Sequence, residues 1–187
     1  MNKTYNIVLE SICAALITVC SWISLNLADI PFTLQTFGIL LVLYTIGGKR
    51  GTISIAIYIL LGLVGVPVFA GFKSGPAALL GPTGGFIIGF LVCGLVYWLI
   101  DALWLGKLKK KDSSRFVFCL IEGIVFELIL YVFGVAWFMT VYTRNTGAIG
   151  LMTVLSMCVF PFLIPDAIKL VIACTTSLRT VRIVKQK

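Results

Sequence analysis

The sequence predicts an all-α integral membrane protein with six transmembrane helices and cytoplasmic N- and C-termini. Three observations carry this. Mean hydropathy is +1.10, and charged residues are 12% of the 187, against roughly 25% in soluble domains. Six apolar runs approach the length of about 20 residues that a spanning helix needs. Lysine and arginine collect at alternate ends of those runs. The expected spans are 7–27, 33–48, 52–68, 84–105, 116–139 and 150–177, in a single domain covering 1–187.

The first run is interrupted by Glu10 near its inner end, and no small-x-small cleavage site follows, so the segment is expected to stay as a helix. It holds Ser11, Ala14, Ala15 and Thr18, two small-x-x-x-small pairs on neighbouring faces. Such faces let helices approach closely, either inside the fold or against a partner. The second run is short and is expected to borrow length from Ile30, Pro31 and Phe32. Thr33 and Gln35 offer neutral hydrogen-bonding groups just inside the membrane. Trp22 and Trp137 fit either interfacial anchors or walls of an apolar pocket; Trp98 and Trp104 fit anchors.

The stretch GFKSGPAALLGPTGGF, 71–86, follows the third span. Half of the chain's 18 glycines fall between Gly62 and Gly94. Such a loop can fold back and present backbone amides. Its apolar island, Ala77 to Leu80, marks segment 69–83 as an outer cap, with the island as a plug and Gly81–Gly85 as a turn into the fourth span. In the fifth span, Glu122 reads as interfacial, whereas Glu127 is deeper and serves either as a proton-coupling group or as a partner for Lys169. The sixth span carries PFLIPDAIK. Asp166 and Lys169 lie about 60° apart on one helical face. Charges at membrane depth either mark a site or neutralise each other. Pro161 and Pro165 remove two backbone donors and loosen that helix.

Direction follows from the charges. Lys3; Lys49 and Arg50; Lys107, Lys109, Lys110, Lys111 and Arg115; and Arg179, Arg182, Lys185 and Lys187 lie at alternate ends. These are twelve of the 15 basic residues, against Lys73 and Arg144 on the other side. That asymmetry places both termini inside, and it assigns the +8 net charge to topology rather than to nucleic acid. With no histidine, and six cysteines all in apolar runs, no metal site or cofactor is expected. No P-loop or acid–base set occurs, so binding rather than catalysis is the reading, and any ATPase is a separate chain. The parts add up to a small outward pocket for a mostly neutral ligand with an apolar portion.

The segments PFTLQT, GLVGVPVFAG, LLGPTGGF and PDAIK occur in this order. In combination they resemble the BioY family, the biotin-specific substrate-binding (S) components of energy-coupling factor (ECF) transporters. The resemblance covers essentially the whole chain. It implies a six-helix bundle holding biotin in its outer half under the third connection. It implies a multi-pass protein of a prokaryotic plasma membrane, working with a transmembrane coupling protein and two ATP-binding-cassette ATPases. It implies that Asp166 and Lys169 contact biotin, and that Ser11, Ala14, Ala15 and Thr18 dock the coupling protein.

The rest of the expected ligand set is Thr33, Gln35, Phe69 and Trp137, with Lys73, Ser74, Gly75, Thr83 and Gly84 from the cap. Asp166 would accept from the ureido ring and Lys169 would donate to its oxygen; the valerate carboxylate would meet Lys73, Ser74 or loop amides. Phe86 stands where the family pattern has tyrosine, and Lys73 stands in a usually neutral stretch. The alternatives are an S component for another small vitamin, or a self-sufficient secondary transporter using Glu127 or Asp166 as its proton group.

Overall fold

The computed structural model describes residues 3–25, 30–105, 112–147 and 149–185. Helix α1 spans Lys3–Trp22. A two-residue strand β1, Ser24–Leu25, pairs antiparallel with β2, Phe32–Thr33, with Ser24 opposite Thr33. Helices α2, Gln35–Ile46, and α3, Gly48–Leu63, follow. A 3₁₀ turn at Ala70–Phe72 and a short helix α4, Pro76–Leu80, lead into α5, Gly84–Ile100. A π turn, Asp101–Leu105, ends α5. Then come α6, Asp112–Thr146; α7, Leu151–Cys158; and α8, Phe160–Lys185.

Four described stretches are long and apolar enough to cross a membrane: Lys3–Trp22, Gly84–Leu103, Arg115–Arg144 and Leu151–Thr180. The other two expected spans are shorter. Helix α2 has 12 residues and α3 has 16, or about 18 and 24 Å at 1.5 Å per residue. The length expected from Ile30, Pro31 and Phe32 is not helical. Pro31 disfavours helix in the residue before it, and Phe32 and Thr33 pair with β1 instead. Helix α2 starts at Gln35, whose N–H donates to Thr33 Oγ1 at 3.2 Å.

The expected span 150–177 is broken. Val159 sits at φ −124°, ψ −59°, between α7 and α8. Pro161 has no N–H for the carbonyl of Met157, so the ladder lapses there and restarts with proline in the first turn of α8. Pro165 lies inside α8. Lys49 and Arg50 belong to the first turn of α3 rather than to a loop, because the single residue Gly47, at φ +88°, turns the chain between α2 and α3. Lys107, Lys109, Lys110, Lys111 and Lys187, and the connection 26–29, lie outside the described residues.

Close backbone approach fixes the packing. Thr52 Oγ1, on α3, donates to Gly94 O of α5 at 2.7 Å. Gly85 and Gly89 leave room for Trp137, Leu130 and Phe133 of α6. The main core joins α1, α2, α3, α5, α6 and α8, and a smaller cluster of Ile30, Phe138, Val154, Cys158 and Val159 closes one end. Many large apolar side chains face outward, among them Ile12, Leu60, Leu95, Leu128, Val132 and Ile164. That surface suits lipid, since helices satisfy their own backbone polar groups.

The small residues of α1 divide between two environments. Ala14 and Thr18 are buried against the fold, and Thr18 Oγ1 donates to Ala14 O at 2.9 Å. Ser11 and Ala15 are exposed. The expected four-residue docking face is therefore two faces, one of them internal.

Candidate ligand-binding site

One pocket draws on every part of the chain that folds around it. Ile30, Pro31 and Thr33 enter from the β2 segment, and Gln35 and Thr36 from the start of α2. Phe69, Ala70, Lys73 and Ala78 come from the segment between α3 and α5, and Thr83, Phe86, Ile87 and Phe90 from α5 and its entry. Leu130 and Tyr131 of α6, Cys158 of α7, and Phe162, Asp166 and Lys169 of α8 complete the wall.

Its polar centre is compact. Asp166 and Lys169 are 5% and 6% exposed, and Lys169 Nζ donates to Asp166 Oδ1 at 2.7 Å. Tyr131 Oη donates to Asp166 Oδ2 at 2.6 Å, so both carboxylate oxygens are held. Lys169 also donates to Thr36 Oγ1 at 3.3 Å, and its ammonium lies 4.1 Å from the ring centre of Phe32. Phe32 in turn stacks on Phe162 with centroids 6.3 Å apart. A buried pair is tolerated only when such extra contacts satisfy its remaining protons and lone pairs. Beside it, Gln35 Nε2 donates to Tyr58 Oη at 2.8 Å, and Tyr58 Oη donates to Ser21 Oγ at 3.3 Å. Tyr58 meets Phe69 edge-on.

Of the expected ligand set, Thr33, Gln35, Phe69, Lys73, Thr83, Asp166 and Lys169 line this pocket. Ser74, Gly75, Gly84 and Trp137 stand outside its lining. Gly75, at φ +80°, begins α4, and its N–H donates to Gly62 O at 2.7 Å. Gly84 lies against the carbonyl of Leu79, where any Cβ would collide. Trp137 Nε1 donates to Gly81 O at 3.0 Å, so this indole holds the cap rather than forming a wall. Trp22 does the same at the other end, donating from Nε1 to Pro67 O at 2.8 Å.

The apolar island is helical, and it splits. Ala78 and Leu79 turn towards the core and Ala78 reaches the pocket, whereas Ala77 and Leu80 face outward. Tyr131 and Thr36 were not expected in the site. Tyr131 lies one turn beyond Glu127, and Thr36 follows Gln35, so a polar group on the inner face of each helix was the available signal.

Glu127 does not pair with Lys169. It is 8% exposed, and neither carboxylate oxygen makes a hydrogen bond among the described residues. It lines a second, apolar groove with Tyr131, Asp166, Val159 and Leu163 on the outer side of α6 and α8. Glu122, expected at the interface, is buried beside Tyr97.

Comparison with known proteins places this geometry. A profile of the BioY family matches residues 1–186. The "Biotin transporter BioY" of Thermotoga maritima is 39% identical over 165 residues, covering 88% of this chain and 89% of the relative. The "Biotin transporter BioY2" of Lactococcus lactis is 33% identical over 182 residues, covering 97% of this chain and 92% of that one. The crystal structure of the S-component for biotin from an ECF-type ABC transporter superposes with a TM-score of 0.75 at 25% identity, over 96% of this chain and 93% of that chain. Matched by the family profile from residue 1 to 186, and by relatives over most of its length, the chain belongs to the BioY family.

Proposed function

We propose that this chain is the biotin-capturing membrane subunit of an ECF-type vitamin uptake transporter. The observation that carries the reading is the Asp166–Lys169–Thr36–Tyr131 cluster at one side of an otherwise largely apolar pocket. Biotin's ureido ring has two N–H donors and one carbonyl acceptor. A carboxylate beside an ammonium matches that pattern, Asp166 accepting and Lys169 donating. The bicyclic ring then packs on Phe86, Phe90 and Phe162, and the valerate chain runs towards Lys73 at the exposed rim. Gln35, Thr33, Phe69 and Thr83 complete the contacts, and the chain needs no cofactor of its own.

In this reading the chain is one six-helix domain that crosses a prokaryotic plasma membrane six times. Helices α2 and α3 make the two short crossings, and both termini are cytoplasmic. It captures the vitamin and performs no catalysis. A transmembrane coupling protein and two ATP-binding-cassette ATPases supply the energy. The coupling protein meets α1 on the face that leaves Ser11 and Ala15 exposed.

Equilibrium binding of biotin, thiamine and riboflavin to the purified chain tests the reading; tight binding of biotin alone is expected, and its absence overturns the assignment. K73A is expected to weaken biotin far more than biotin methyl ester, which has no carboxylate; equal weakening of both would exclude a Lys73–valerate contact. Y131F removes a hydrogen bond to a charged acceptor, worth about 1.5–3 kcal/mol. Biotin binding should fall at least about tenfold, with the helical circular dichroism unchanged.

A further inference from the structure

The segment from Pro67 to Lys73 is fastened to α1 through Trp22, Pro67 and Phe72, none of which lines the pocket. Trp22 Nε1 donates to Pro67 O at 2.8 Å, and the indole lies 5.2 Å from the Phe72 ring. Phe72 is the one positive-φ residue other than glycine among the described residues, at φ +59°. A bulky side chain enters that left-handed region only under constraint. The same Phe72 is 63% exposed, so burial does not supply the constraint. Its aromatic contact is with Trp22. Across Phe72 the chain closes on itself, with Phe69 N–H donating to Lys73 O at 3.1 Å. Phe69, Ala70 and Lys73, inside this small loop, line the pocket.

The far end of the cap is held differently. Trp137 donates to Gly81 O and its Cβ is packed against Gly85, half-buried in the α5–α6 contact. Trp22 is 38% exposed and its hydrogen bond is solvent-accessible. One end is embedded in a helix pair, and the other is a surface clasp against a strained backbone.

We infer that Trp22 is a positioning residue for ligand retention: its indole latches the 67–73 loop closed over the pocket, while the Gly81–Trp137 contact serves as the fixed end. This rests on the pocket being the biotin site. A latch that contacts no ligand governs escape more than capture, so its loss is read in the dissociation rate.

The test is stopped-flow biotin exchange on the full chain. W22F keeps a ring against Phe72 and removes the N–H; W22L removes both. Dissociation is expected to quicken about tenfold in W22F and further in W22L, with the association rate within about twofold of the parent. Amide hydrogen exchange of the ligand-free protein is expected to accelerate at Val68, Phe69 and Gly75, and to stay unchanged in α5. Unchanged dissociation and exchange in both variants overturn the latch. So does equal acceleration of exchange throughout the helices, which would mark Trp22 as a general packing residue. Accelerated loop exchange in a chain that binds no biotin would instead count against the assigned ligand and leave the latch standing.

Discussion

Replacing Asp166 with asparagine should weaken biotin binding by at least about a hundredfold, equivalent to roughly 2.7 kcal/mol. The ammonium of Lys169 would keep Thr36 Oγ1 and the Phe32 ring but lose its counter-ion at 2.7 Å. Breaking a buried pair by removing one partner costs about 3–5 kcal/mol, because the orphaned charge stays desolvated. Tyr131 would lose its charged acceptor as well. The effect on folding can be separated from the effect on binding. D166L/K169L removes both charges together and is expected to recover the thermal stability lost by D166L alone, since apolar replacement of a whole buried pair is often neutral. Biotin binding should not recover with it. A D166N protein that binds biotin within tenfold of the parent would show that the carboxylate's charge is not what the ligand reads.

Gly84→Ala is the second large effect expected, and it acts through the cap. A Cβ at this position runs into the carbonyl of Leu79, a backbone atom with no rotamer to escape through. Helix α4 must then lift or α5 must shift, and α4 carries Ala78 into the pocket wall. Forced overpacking of this kind costs about 1–3 kcal/mol, so the affinity should fall roughly 10- to 100-fold, mostly through faster dissociation. Gly81→Ala is the matched comparison. Its Cβ would meet Ala77 O at 3.3 Å and Ala78 O at 3.5 Å, close to ordinary contact, and its φ of −76° suits any residue. Fluorescence titration and exchange kinetics on the two variants check the contrast; equal affinities would remove α4 from the closure of the site.

Hydropathy located the long helices because an apolar run of sufficient length has few other options in lipid. It misjudged the entry to α2, since two residues of strand pairing, Phe32 with Leu25 and Thr33 with Ser24, leave no periodic trace. The two prolines signalled a loosened last helix, but the break sits at Val159, upstream of both. A proline acts on the carbonyl four residues before it, so the disturbance appears one turn early. In α1, spacing revealed two small faces and could not say which one the fold covers. Asp166 and Lys169 stood out because charge is rare at membrane depth. Tyr131 did not, since a tyrosine in an apolar run resembles any packing aromatic, and its partner is 35 residues away.

Helix α1 also has a mechanical consequence. Its 20 residues form a rod of about 30 Å. Ser11, Ala15 and Trp22 lie within about 40° of one line along it, because eleven residues complete three turns to within about 20°. Torque applied at Ser11 and Ala15 is therefore delivered along the same edge to the indole at the far end. A twist of about 15° carries a side-chain tip, some 5–6 Å from the axis, through about 1.5 Å. That stroke is enough to part a 2.8 Å hydrogen bond. A subunit that grips this helix at Ser11 and Ala15 would hold a crank for the contact between Trp22 and Pro67.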